Sequence, residues 1–72
     1  MYDMVRYESA VKEYRERAGL SQEALARELG VSRQTVVNIE RGLNEPKVLL
    51  AIAIGAILGV AIEQLFRKES TS

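Results

Sequence analysis

The chain has 72 residues, no Cys, no His, and ten basic side chains balanced by ten acidic ones, giving zero net charge. That length makes one domain, residues 1–72, near the lower limit of what an apolar core stabilises unaided, so self-association is expected to help it. Without Cys or His there is no disulfide framework and neither the commonest metal ligand nor the commonest general base, so no metal, cofactor or catalytic site is expected; a pI of about 6.2 argues against holding nucleic acid by a bulk positive field.

The opening segment, MYDMVRYES, lacks a basic region leading into an apolar run, and without such a signal the protein is expected in the cytoplasm. Met4, Tyr7, Val11, Tyr14 and Ala18 recur at spacings of three and four, which predicts one stripe of a helix capped by Asp3 and running from the N-terminus through Ala18.

The stretch Ser21 to Gly42, SQEALARELGVSRQTVVNIERG, predicts two short helices joined by a tight glycine turn. Ser21 caps the first, about Gln22 to Leu29, and Glu23 places a negative charge in its first turn, where the helix dipole favours it. Leu25 and Leu29 share one face, and Ala26 beside them lets another helix approach closely. Gly30 suits the left-handed C-terminal cap, Val31 turns into the core, and Ser32 caps the second helix, about Arg33 to Arg41. That helix buries Val36 and Ile39 and leaves Arg33, Gln34, Val37, Asn38 and Arg41 outside. Four of those five side chains hydrogen-bond base edges or phosphates. The positive residues Arg33, Arg41 and Lys47 gather in or just beyond this helix, whereas Glu13, Glu16, Glu23 and Glu28 precede it, so the field is expected to be polarised despite the neutral total.

After Gly42 comes a loop ending at Pro46, a residue suited to the first turn of a new helix. Lys47 and the backbone N–H groups of that helix start are suited to a phosphate. Val48 to Ile62 reads VLLAIAIGAILGVAI, fifteen residues without a polar side chain, short of the roughly 20 that span a bilayer. A buried helix is expected, not a membrane segment, with Val48, Leu50, Ile54, Ile57 and Leu58 toward the core. A last helix, about Ala61 to Lys68, points Ile62, Leu65 and Phe66 inward and carries Arg67 and Lys68 at its end; Ser70, Thr71 and Ser72 are expected to fray.

Gln22, Ala26, Gly30, Val36 and Ile39, with apolar residues at 25, 29 and 31, match the pattern of the helix-turn-helix in the phage repressor and Cro-like family, also called the xenobiotic-response-element type. The run SRQTVxxIExG resembles small bacterial members closely, and the resemblance covers roughly residues 9–66. It implies an all-α, compact five-helix bundle of the lambda-repressor-like DNA-binding type, with helices 2 and 3 forming the helix-turn-helix. It also implies a first helix starting only at Ser9, with a short arm before it, and a glycine-valine turn at Gly59 and Val60 before the last helix. An arginine at the place of Arg15 pairs in this family with a glutamate at the end of the reading helix, here Glu40; a planar guanidinium can hold a carboxylate by two hydrogen bonds and fix one helix against another.

The function implied is that of a sequence-specific transcriptional regulator, a repressor by type, that binds a palindromic operator as a homodimer through the major groove of double-stranded DNA. Base contacts fall to Arg33, Gln34, Val37 and Asn38: Arg33 matches guanine, the two amides match adenine, and Val37 suits a thymine methyl. Gln22, Ser32, Arg41 and Lys47 are the expected phosphate contacts. One feature departs from the family: the outer face of helix 4, normally polar, holds Leu49, Ala53 and Ala56. With Val60, this second apolar stripe is expected to be a dimer or partner surface. The alternative function is a small protein-interaction module, an antitoxin or co-regulator, using the apolar helix 48–58 to bind a protein partner.

Overall fold

The computed structural model describes residues 7–68. The elements are β1 (Tyr7–Ser9), α1 (Val11–Arg17), α2 (Gln22–Leu29), α3 (Arg33–Glu40), α4 (Val48–Leu58), α5 (Ile62–Leu65) and β2 (Phe66–Lys68). Five helices form the body, and β1 pairs antiparallel with β2, with Tyr7 opposite Lys68 and Ser9 opposite Phe66.

The two central helices begin and end on local chemistry. Ser21 Oγ accepts from the Ala24 N–H at 3.0 Å, and Ser32 Oγ from the Thr35 N–H at 3.1 Å, each satisfying one donor that a helix start leaves free. Between the two helices Gly30 takes φ 71°, and the Val31 N–H closes the turn onto the Ala26 carbonyl oxygen at 3.0 Å. The five helices then contribute in turn to one cluster: Val11 from α1, Leu25 and Ala26 from α2, Val36 and Ile39 from α3, Ile54 from α4 and Leu65 from α5, all buried. Leu29, Val31, Leu50, Ile57, Leu58 and Val60 pack against it, half-buried.

Three expectations are corrected. The N-terminal helix does not extend through Tyr7: the chain is extended from Tyr7 to Ser9, and α1 starts at Val11. A short helical stripe loses here to long-range pairing, because β2 satisfies the backbone of β1 and the Tyr7 ring packs edge-on against Phe66 at 5.7 Å. Ser9 Oγ accepts from the Val11 N–H at 3.3 Å and the Ala10 N–H donates to the Leu65 carbonyl oxygen at 2.8 Å, which fixes the switch from strand to helix. Met4 and Asp3 lie outside the described residues, as does the tail from residue 69.

Second, the last helix is one turn long, and at Phe66 the chain straightens into β2. Phe66 and Arg67 are therefore strand residues, and Ile62 is 36% exposed where a core position was expected. Third, α4 is rotated with Ala51, Ile54 and Gly55 inward, and Val48, expected toward the core, is 73% exposed: it shares the face of Ala51 and Gly55 but stands at the first position of the helix, outside the core cluster. The rotation follows from a close approach. A Cβ on Gly55 would lie 2.8 Å from the Val60 carbonyl oxygen, so only glycine lets the turn after α4 fold back on the helix. Among the described residues no helix is long and apolar enough to cross a membrane.

Candidate nucleic-acid interface

The outward face of α3 is built by elimination. Val36 and Ile39, three residues apart, are 1% and 2% exposed, and their burial sets the rotation of the helix. Arg33, Gln34 and Arg41 are then exposed, and Val37 and Asn38 half-buried. These five occupy one side of α3 and its C-terminal cap, with the side-chain amides of Gln34 and Asn38 joined by a hydrogen bond of 3.0 Å, Gln34 Nε2 donating. Ser32, exposed at the start of α3, spends its hydroxyl on the cap and on Thr35 Oγ1, 3.0 Å away. Lys47 is the N-cap residue of α4, exposed and separate from the α3 cluster.

Behind this face lies a polar network that fixes its angle. Arg15, 7% exposed, is buried together with the Glu40 side chain, which is 4% exposed. Its Nε donates to Glu40 Oε2 at 2.5 Å and its Nη2 to Oε1 at 3.5 Å, while Nη1 donates to the Leu20 carbonyl oxygen at 2.7 Å. The guanidinium thus ties α1 to the end of α3 and to the turn before α2. Glu40 has one more donor: Gln22 Nε2 reaches its Oε1 at 3.0 Å. Gln22 Oε1 in turn accepts from Arg33 Nη2 at 3.2 Å. Among the described residues no buried side-chain nitrogen or oxygen lacks a partner. Gln22 is therefore brought to Arg33 and Glu40, a connection that spacing alone does not reveal because it runs between two helices.

The ribbon supports the same face from the other end. The Tyr7 hydroxyl donates to the Asn44 carbonyl oxygen and lies 3.4 Å from that of Ile39, bracing the exit of α3. Burial, reinforced by the nearby Glu45 charge, raises the Tyr7 pKa above its ordinary value, so the phenol stays a neutral donor. Gly42, at φ 72°, is required at this exit twice over, since a Cβ would also come within 2.9 Å of the Tyr7 carbonyl oxygen. No group of His, Cys, Asp and Glu with metal-holding geometry occurs among the described residues.

A helix that buries its inner side against a capped, tightly turned partner, and leaves Arg, Gln and Asn side chains together outside, is the geometry of a helix-turn-helix. The helix-turn-helix family profile matches residues 11–65. The chain belongs to the Cro/C1-like helix-turn-helix family. Membership places it among DNA-binding transcriptional regulators and not among enzymes. It is 48% identical over 56 residues to an uncharacterized HTH-type transcriptional regulator of Methanocaldococcus jannaschii, an alignment covering 78% of this chain and 85% of that one. Among solved structures it is similar to the restriction-modification controller protein C.AhdI from Aeromonas hydrophila, with a TM-score of 0.69, 32% identity and coverage of 78% of this chain and 85% of the other. It is similar also to the biofilm master regulator SinR of Bacillus subtilis in complex with DNA, with a TM-score of 0.66, 31% identity and coverage of 74% and 86%. In this helix-turn-helix, α2 is the supporting helix and α3 occupies the place of the reading helix.

The expected association stripe is divided. Leu49 is 81% exposed and Ala56 is exposed, but Ala53 and Val60 are half-buried. Ile52, 49% exposed, and Val48 join Leu49 instead, and Leu43, 60% exposed, lies in the loop before α4. The apolar face of α4 therefore runs through Val48, Leu49, Ile52 and Ala56, sharing Leu49 and Ala56 with the stripe read from the sequence but turned from it by roughly 50°, about half a helical step.

Proposed function

We propose that this protein is a cytoplasmic, sequence-specific transcriptional regulator that binds a palindromic operator as a homodimer, laying α3 in the major groove. The observation that carries this reading is the α3 face: Arg33, Gln34, Val37 and Asn38 stand together on the side opposite the buried Val36 and Ile39. Arg33 donates twice to guanine O6 and N7, Gln34 and Asn38 pair with adenine, and Val37 touches a thymine methyl. Ser32, Arg41 and Lys47 anchor the phosphates on either side, which fixes register without reading sequence. The similarity to SinR, solved in complex with DNA, supports the same docking here.

Homodimerisation rests on α4. Leu49 and Val48, 81% and 73% exposed, with Ile52 beside them, form an apolar patch that a monomer would leave in water. A second copy covering it places two reading helices about 34 Å apart, one turn of DNA, which is why the operator is a palindrome. The same patch favours a second reading, an antitoxin or co-regulator that docks a protein partner on α4; that reading needs no selected DNA sequence. Selection of duplexes from a random pool separates the two: an enriched inverted repeat supports the regulator, and binding without sequence preference removes it.

A further inference from the structure

We infer that Tyr7 is a positioning residue for the contact with the DNA backbone: from β1 its hydroxyl pins the Asn44 carbonyl oxygen and so holds the loop before α4 with Glu45 toward the ribbon and Lys47 toward the phosphates. This inference rests on the proposed role of Lys47 as a phosphate contact. The loop has little else to fix it. At its start the Gly42 N–H donates to the Ile39 carbonyl oxygen at 3.1 Å and the Leu43 N–H to that of Asn38 at 3.0 Å; at its end the Lys47 carbonyl oxygen accepts from the Ala51 N–H at 2.9 Å. Asn44, Glu45 and Pro46 lie between, and Pro46 has no N–H to give. Among the described residues, the bond from the Tyr7 hydroxyl to Asn44 is the one hydrogen bond that ties these three to the body.

Tyr7 is itself well anchored. Its backbone pairs with Lys68, its ring packs edge-on against Phe66, and its carbonyl oxygen faces Gly42 so closely that a Cβ there would lie 2.9 Å away. The loop that it holds carries opposite charges on either side of Pro46. Glu45 lines an apolar groove beside the ribbon together with Tyr7, Phe66 and Arg67, and Lys47 is not part of that groove. The loop is thus sorted by charge, with the carboxylate on the ribbon side. A loop released at its middle lets the Glu45 carboxylate approach the phosphates that Lys47 holds, where like charges repel. It also leaves Lys47 to be ordered at the moment of binding, which costs affinity. The helical stripe read from the sequence assigns Tyr7 to a core face; in the structure its hydroxyl serves the loop instead.

Tyr7→Phe removes the hydroxyl and keeps the ring, its contact with Phe66 and the strand. Wild type, Tyr7→Phe, Lys47→Ala and the double variant are to be compared on the selected operator and on an unrelated duplex, over a series of salt concentrations and well below every melting transition. Tyr7→Phe should weaken binding by about two- to tenfold for each protomer, the worth of one ordinary hydrogen bond. The loss should be equal on both duplexes, with a shallower salt slope, and should vanish in the Lys47→Ala background. Glu45→Gln should strengthen binding more in Tyr7→Phe than in wild type. A contact that serves stability alone lowers Tm and moves none of these readouts. Wild-type affinity and slope in Tyr7→Phe, additive effects of Tyr7→Phe and Lys47→Ala, or a loss confined to the selected operator would each overturn the inference. If wild type binds neither duplex, or Lys47→Ala changes nothing, the reading of Lys47 fails and the role of Tyr7 with it. If Lys47→Ala weakens binding and Tyr7→Phe does not, the inference about Tyr7 alone fails.

Discussion

Arg15 and Glu40 carry opposite charges into a core that is otherwise apolar, and their worth depends on remaining together. A buried pair is weak evidence for stability, because desolvation offsets much of the attraction, but removing one partner strands the other. Arg15→Ala leaves the Glu40 carboxylate with Gln22 as its remaining side-chain donor and frees the Leu20 carbonyl oxygen. It should cost about 3 kcal/mol or more, a fall in Tm of more than about 10 °C for a domain of this size, and should weaken DNA binding although Arg15 does not face the groove. An unchanged Tm by calorimetry would contradict the structural importance of the pair. This pair was legible in the sequence because a resemblance supplied the partner and the geometry of guanidinium and carboxylate supplied the reason. The bonds from Gln22 were not legible: a glutamine at a helix start is equally suited to a phosphate, and only the crossing of α2 and α3 puts Glu40 and Arg33 within its reach.

The elements divide by how local their causes are. The bounds of α2 and α3 follow from Ser21, Gly30 and Ser32, each acting on its own neighbours, and α2 falls on the residues expected. In α4 the sequence carries no polar side chain to mark an outer face, so its rotation is set by packing, chiefly by Gly55 beneath the Val60 carbonyl oxygen. Gly55→Ala would ordinarily favour a helix by about 0.5–1 kcal/mol. Here the added methyl meets backbone at 2.8 Å, which cannot move as a side-chain tip can, and a net destabilisation of about 1–3 kcal/mol is expected; chemical denaturation that shows a more stable variant would refute the account of α4. The ribbon was missed for a related reason. Three-residue strands carry too little alternation to be read, and the spacing of Tyr7 from Val11 and Tyr14 fits a helix equally well.

For the whole molecule, zero net charge and a DNA-binding face are compatible because the charges are sorted. The acidic Glu40 is buried against Arg15, while Arg33, Arg41 and Lys47 are exposed in and around the reading helix. Few phosphate contacts should mean a modest salt slope, and Lys47→Ala should weaken binding equally on all sequences and reduce the slope by about one for each protomer. On the proposed homodimeric reading, affinity then depends on a second copy. Leu49→Glu combined with Ile52→Glu places charge on residues already 81% and 49% exposed, so the chain should stay folded. Sedimentation should show a monomer, and binding to the full palindrome should fall far more than binding to an isolated half-site. A variant that still sediments as a dimer would move the interface off α4.

The central claim, that the exposed side of α3 reads bases, is tested most directly by selecting duplexes from one random pool with wild type and with Arg33→Ala in parallel. The wild type should enrich an inverted repeat carrying a guanine at one symmetry-related pair of positions, and the variant should lose preference at that pair alone, by about 1–3 kcal/mol of discrimination, while keeping the rest of the site. Identical enriched sequences for the two proteins, or none for the wild type, would contradict it.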